Sequence, residues 1–304
     1  MNVINTSRNC PLCNTTPSEA TLFVDENIDR GKLSGFSYAS RKAPEYMCHR
    51  LMQCPTCDLV YADQPPTQAE LAHAYHLADY DSADEANDAA SAYIKAIQPA
   101  LQKLTNRDSA LEIGTGTGIF LEHLAQAGFR TLVGVEPSQA AICAAPDTRR
   151  GWIRQGIFDE NDFAPASFDL ICCFMTLEHV RDPKMIAQAA LRLLRPGGVF
   201  ISVAHDYRGL VNRLLGKRSP IIDIEHMQLF SRRSLRYMFE EAGYSGVKVN
   251  AFTNRYSIRY WMRIAPLPLG IKRCLDGFVA GVGAGRVKIG VNVGNLVTAG
   301  FKPR

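Results

Sequence analysis

Two cysteine pairs offer the first recognisable chemistry in this chain. Cys10-Pro-Leu-Cys13 and Cys54-Pro-Thr-Cys57 are Cys-x-x-Cys segments separated by 40 residues. Each turn can present two thiolates to one tetrahedral ion, the pattern of a zinc ribbon. A redox dithiol is the rival use of the motif, but neither pair opens the strand–helix–strand unit that such a site requires. Cys48 and His49 lie close enough in sequence to replace one ligand. Four thiolates leave no open position for a catalytic water, so the expected zinc is structural and its binding contributes to folding.

The second chemical signal is Leu111-Glu-Ile-Gly-Thr-Gly-Thr-Gly-Ile-Phe120. Three glycines at alternate positions follow an apolar run, but Ile119 stands where a dinucleotide fingerprint needs its last glycine. Glu112, two residues before Gly114, would repel a pyrophosphate and attract a cation. S-adenosylmethionine carries an ammonium and a sulfonium and no phosphate, so an acidic strand end beside close glycine backbone suits it. Glu136 closes the next apolar segment, TLVGVE, where a carboxylate can accept both ribose hydroxyls; dinucleotide sites share that feature.

These residues need a frame. After the Pro-rich break DQPPTQ, a mostly helical stretch runs from Gln68 to Leu104. Then SALEIG, TLVGVE, GWIRQG, SFDLICCFM and GVFISVAH read as strands, and IFLEHLAQAG, SQAAICAA and PKMIAQAALRLL as helices. The alternation predicts an α/β, doubly wound, mostly parallel sheet that binds ligands beyond the carboxyl ends of its strands. The expected division is 1–66 for the ribbon and 67–304 for the ligand-binding domain. At 304 residues and 46% hydrophobic composition the chain can bury a sizeable core. No leader-like apolar segment opens it and no run is long enough for a membrane span, so the cytoplasm is the expected compartment. Net charge is +4, unevenly spread: residues 1–205 hold 17 Lys/Arg against 24 Asp/Glu, and residues 206–304 hold 17 against 6. A basic second half is a solvated surface or an attraction for phosphate-bearing substrates, lipid headgroups or RNA.

Taken in order, LEIGTGTGIF, VGVEPS, SFDLICCFMTLEHV, LRLLRPGGVFISV and HMQLFSRRSLRYMFEEAGY resemble class I S-adenosylmethionine-dependent methyltransferases over roughly residues 70–250. The two Cys-x-x-Cys pairs in front and NLVTAGFKP behind are similar to a bacterial subgroup with an N-terminal zinc-binding segment, whose members often serve sugar, surface-polysaccharide or natural-product pathways. The resemblance implies a seven-stranded Rossmann-like sheet whose last strand, Asn295 to Lys302, runs antiparallel. It implies that Glu112, Gly114, Gly116 and Gly118 border the methionine part of the cofactor and that Glu136 takes the ribose. Gln155, Gly156, Ile157 and Phe158 fill the adenine segment. Many relatives carry an acid where Ile157 stands, which leaves that contact to backbone or to Asp159.

Methyl transfer from a sulfonium is an in-line displacement with an activated leaving group, so positioning supplies much of the catalysis. An acceptor that holds its proton also needs a base. His179, in Thr176-Leu-Glu-His179, and His226, in Glu225-His226, are the first candidates; His205 and Asp206 follow the fifth strand. Each also fits a histidine that only packs. Tyr75 and Tyr80 are read as a lid or as helix packing, and Cys172, Cys173, Cys143 and Cys274 as buried thiols. Within an insertion at about 252–294, Arg255, Arg259, Arg263, Lys272 and Arg273 interleave with Tyr256, Tyr260 and Trp261. They form a grip for phosphate or RNA, or an amphipathic helix over the sheet edge. The expected function is methyl transfer to oxygen or carbon of a small acceptor, a sugar or other anionic metabolite. An RNA methyltransferase using the ribbon for recognition is the alternative, and a cofactor-free interaction module the third reading.

Overall fold

In the computed structural model, residues 7–34, 37–38, 45–78, 83–265, 267, 270, 272, 279 and 287–304 are described. Three short strands open the chain: β1 (Thr21–Val24), β2 (Leu51–Gln53) and β3 (Val60–Ala62). Helices α1 (Gln68–Leu77) and α2 (Ala83–Leu101) follow. Thr67 starts α1 with a reciprocal capping box to Glu70, which satisfies donors that the first turn would otherwise leave unpaired.

The alternating part comprises β4 (Ser109–Ile113), α3 (Ile119–Gln126), β5 (Thr131–Glu136), α4 (Gln139–Ala144), α5 (Asp147–Arg150), β6 (Ile153–Gln155), β7 (Phe168–Phe174), α6 (Pro183–Leu193) and β8 (Leu194–His205). Then come α7 (Leu210–Leu215), β9 (Gln228–Leu229), α8 (Arg232–Ala242), β10 (Ser245–Ser257), α9 (Ile258–Ile264) and β11 (Lys288–Phe301). The large sheet has the order β10-β11-β8-β7-β4-β5-β6, with β11 antiparallel to both neighbours and β8, β7, β4, β5 and β6 parallel. This is the doubly wound, mostly parallel sheet that the alternation predicts, with the seven strands that the family resemblance implies. Every residue of β7 is buried, as expected of a central strand covered on both faces.

Two corrections concern the chain's last third. The final strand begins at Lys288, not Asn295, because β10 continues to Ser257 and pairs with it through Ser257↔Lys288. Residues 252–257 and 288–294 of the expected insertion are therefore strand residues of the large sheet. The insertion's helical part, α9, has seven residues and starts at an N-cap on Ser257. Arg255 and Arg259 face solvent while Tyr256 is buried. Arg263 has no described side chain, and Arg273 and Cys274 lie outside the described residues, as does Tyr80.

The N-terminal strands form a second sheet of order β1-β2-β3-β9, so its fourth strand comes from residue 228 onward. Its core is continuous with one face of the large sheet: Leu12, Leu59 and Tyr61 pack in one cluster with Phe230, Leu235 and Phe239. On the other face, α2 and α3 bury Tyr93, Ile97, Phe120 and Leu124 against Leu170 and Val203. Cys172 and Cys173 are fully buried in β7, and burial pushes both thiols well above their ordinary range. Cys143 departs from expectation: it sits exposed on α4, its sulfur accepting from Gln139 Nε2 at 3.2 Å. The short α4 presents only Ala141 inward.

Candidate active site and cysteine cluster

The strand order reverses between β4 and β7, the place where open parallel sheets bind ligands. A cleft of about 1070 Å³ opens there, lined by the ends of β4, β5, β7 and β8 and by segments from both termini of the fold. That volume lies just above the roughly 300–1,000 Å³ typical of ligand pockets.

Glu112 and Glu136 line its floor, each less than a tenth exposed. The Glu112 carboxylate accepts a hydrogen bond from the Thr115 hydroxyl. Glu136 accepts from the N–H of Gly116 at 2.7 Å and of Ser138 at 2.8 Å. Burial raises the Glu136 carboxyl, and the two backbone donors oppose the rise. Gly114 adopts φ +76°, and a Cβ there would collide with the Thr176 side chain. Gly116, at φ +56°, faces open space, which leaves its backbone accessible from the cleft. Gly118 is not among the residues lining the cleft: at φ +69° it opens α3, where a Cβ would come within 3.3 Å of the Ile153 side chain. Gly156, Ile157 and Phe158 line the cleft beyond β6. Asp159 lines it too, but its carboxylate accepts from the Asn161 N–H and side-chain amide.

Across the cleft, β7 and β8 end near a cluster of imidazoles. The rings of His179 and His226 lie 5.0 Å apart, and those of His205 and His226 5.5 Å apart. His226 is buried, with Nδ1 2.7 Å from the carbonyl oxygen of Ile221. Glu225 bridges the pair: its carboxylate oxygens lie 3.8 Å from His179 Nδ1 and 3.9 Å from His226 Nε2. His179 Nδ1 and the Tyr75 hydroxyl are 3.1 Å apart and both reach the Glu225 carbonyl, at 3.1 and 3.3 Å. The spacing of His179, Glu225 and His226 is compatible with a metal ion.

His205 holds Asn295 Oδ1 at 2.9 Å, and burial pushes its pKa down to about 4, so it is neutral at physiological pH. Its backbone N–H donates to Glu178, a fully buried carboxyl that burial raises to about 7. Asn254, 3% exposed, also lines the cleft, and its Oδ1 has no hydrogen-bond partner among the described residues. Nothing in the local sequence marks Asn254, Asn295 or Tyr38, which joins Tyr75 edge-to-face at 5.5 Å. None of the described residues lining the cleft is Lys or Arg. Arg213 on α7 and Lys217 and Arg218 just after it are exposed, while Val211 and Leu215 of the same helix line the cleft.

Away from the cleft, the sulfur atoms of Cys10, Cys13, Cys54 and Cys57 lie within 4.8 Å of one another. Cys10 and Cys57 are 3.4 Å apart and Cys13 and Cys54 3.3 Å, too far for disulfides. A soft four-thiolate set converging from two turns fits zinc.

The family model described as "Methyltransferase domain" matches residues 86–249, more than half of the chain. The chain belongs to this methyltransferase family. Among its relatives, the ubiquinone biosynthesis O-methyltransferase of Vibrio cholerae is 27% identical over 165 residues, spanning 49% of this chain and 67% of the Vibrio protein. The Idiomarina loihiensis protein of the same name is 35% identical over 124 residues, covering 38% of this chain and 48% of the relative. A solved S-adenosylmethionine-dependent methyltransferase from Archaeoglobus fulgidus has a TM-score of 0.48 at 13% identity, covering 70% of this chain and 94% of its own. A Thermotoga maritima methyltransferase has a TM-score of 0.46 at 22%, covering 70% and 90%. The chain is thus an S-adenosylmethionine-dependent methyltransferase with the class I sheet order. Among the described residues no helix of this methyltransferase is long and apolar enough to cross a membrane.

Proposed function

We propose that this methyltransferase acts on oxygen or carbon of a small, hydroxyl-bearing acceptor such as a sugar, with His226 as the base. The observation that carries the reading is one cleft that joins the Glu112–Gly116–Glu136 floor to the His179–Glu225–His226–His205 cluster. Glu112, Gly114 and Gly116 border the methionine end, Glu136 holds the ribose hydroxyls, and Gly156 to Phe158 border the adenine. When bound, S-adenosylmethionine supplies the activated methyl group. The carboxylates suit its cationic centres, while the histidines face the space left for the acceptor.

The Ile221 carbonyl can only accept, so His226 Nδ1 carries its hydrogen and Nε2 is the basic nitrogen. Glu225 beside it stabilises the imidazolium that forms when Nε2 takes the acceptor's proton. Tyr75 and the Glu225 carbonyl hold the His179 ring in place. With no cation among the described lining residues, the neutral part of the acceptor sits in the cleft. Any phosphate lies at the rim near Arg213, Lys217 and Arg218.

This reading includes one structural zinc on Cys10, Cys13, Cys54 and Cys57, and a division near residue 66 that β9 crosses. Calorimetric titration with S-adenosylhomocysteine, with NAD as control, tests the cofactor half. Transfer of labelled methyl to a panel of nucleotide sugars and phenols, with RNA alongside, tests the acceptor half. Labelling of RNA alone would overturn the acceptor class. Elemental analysis finding no zinc in the purified protein would remove the ribbon.

A further inference from the structure

We propose that Asp58, the residue after the second Cys-x-x-Cys turn, is a positioning residue that couples the four-cysteine cluster to the acceptor half of the cleft. This rests on the reading of His205 and His226 as acceptor-side groups.

Asp58 is 6% exposed and adopts φ +66°, with its N–H donating to the Cys54 carbonyl at 3.1 Å. The turn that gathers Cys54 and Cys57 therefore also sets where the Asp58 side chain points. Its carboxylate accepts from Arg208 Nε at 2.7 Å and Nη2 at 2.5 Å, from the Tyr207 hydroxyl at 2.8 Å and from Gln53 Nε2 at 3.1 Å. Its carbonyl accepts from the Tyr207 hydroxyl at 3.2 Å and from Ser231, the N-cap of α8, at 3.5 Å. A single residue thus ties β2 to the turn after β8 and to the start of α8. A two-pronged guanidinium–carboxylate pair fixes direction as well as distance.

Those partners flank the imidazole cluster. Tyr207 and Arg208 lie two and three residues beyond His205. Three residues after Asp58, Tyr61 pairs with Gln228, two residues beyond His226, and the Ala62 N–H donates to the Met227 carbonyl at 2.8 Å. Asp223, three residues before His226, accepts from the Glu45 N–H at 2.9 Å. The loop that carries Glu225 and His226 is therefore held on one side by β3 of the N-terminal sheet and on the other by Glu45 in the segment before β2. Glu112, Gly116 and Glu136, by contrast, are held by β4, β5 and their own turns. Disturbing Asp58 should loosen one half of the cleft and leave the other.

The test compares the zinc-loaded wild-type chain with Asp58→Asn and the milder Tyr207→Phe. Amide exchange is followed by mass spectrometry and the imidazoles by NMR of histidine-labelled protein. In Asp58→Asn, exchange over residues 203–212 and 222–229 should rise at least tenfold, and the His205 and His226 resonances should shift. Exchange over 111–120 and 131–138, S-adenosylhomocysteine affinity and zinc content should stay within twofold of wild type. Tyr207→Phe should give the same pattern at smaller amplitude, and it decides the matter if Asp58→Asn does not fold. Unchanged exchange and resonances, or loosening spread equally to 111–120 and 131–138, would overturn the proposal. Failure of the wild type to bind S-adenosylhomocysteine would count against the proposed function, with the exchange comparison still readable.

Discussion

Nδ1 of His226 lies 2.7 Å from the carbonyl oxygen of Ile221, five residues earlier in the same loop. That contact selects one tautomer and directs Nε2 toward Glu225 and the cleft. Asparagine at 226 keeps an amide donor for the carbonyl but has no proton-accepting nitrogen. His226→Asn should therefore lower kcat about 10²- to 10⁴-fold, the usual contribution of a positioned base. Binding of S-adenosylhomocysteine should be unchanged. Labelled-methyl kinetics on the acceptor found by the panel would check the first expectation and calorimetry the second; retained turnover would remove His226 as the base.

Glu136 accepts from two backbone N–H groups and still offers lone pairs to the cleft. Glu136→Ala should weaken S-adenosylhomocysteine at least tenfold, about 1.4 kcal/mol, because hydrogen bonds to a charged acceptor are the stronger kind. An unchanged dissociation constant would take Glu136 out of the cofactor site.

Gly114 and Gly116 should respond differently to alanine. At Gly114 the left-handed conformation costs about 1–2 kcal/mol, and the overlap with Thr176 adds about 1–3. At Gly116 the same conformation meets no atom within 4 Å, so Gly116→Ala should lose only the first of these. Its new methyl group would point into open space and should cost cofactor affinity instead. Urea denaturation combined with calorimetry separates the two, and equal stability losses would contradict the packing argument.

Glu178 links buried charge to pH. Its folded pKa of about 7 lies above the usual carboxyl value of 4.5, so the native state binds the proton more tightly than the unfolded chain. Its contribution to stability is complete below pH 4.5 and is lost as pH rises through 7. Glu178→Gln removes that penalty while keeping an acceptor for the His205 N–H. The variant's stability relative to wild type should increase between pH 5 and pH 8, by on the order of 2–3 kcal/mol. Parallel denaturation curves at the two pH values test this; a difference that does not change with pH would place the carboxyl's titration elsewhere.

That Glu112, Gly114, Gly116 and Glu136 meet on the floor of one cleft was legible in the sequence because these parts are local. Glu112, Gly114 and Gly116 fall within one strand and turn, Glu136 ends the neighbouring strand, and such spacing survives in any sheet that pairs β4 with β5. The cysteine pairs were legible for the same reason, since each Cys-x-x-Cys turn needs only its own four residues. Periodicity reports which face of an element is buried, but not what covers it. The meeting of Tyr75 with His179, 104 residues away, and of His179 with Glu225 depends on sheet order and loop closure. So does the pairing of β9 with β3, which makes the N-terminal sheet part of the wall around His226. Cys143 shows the converse: an apolar-looking short helix placed it inside, yet α4 is only six residues long and covers the sheet with a single face. The extension of β10 and β11 and the place of Asn254 were likewise decided by long-range strand register, a property of two segments together that neither carries alone.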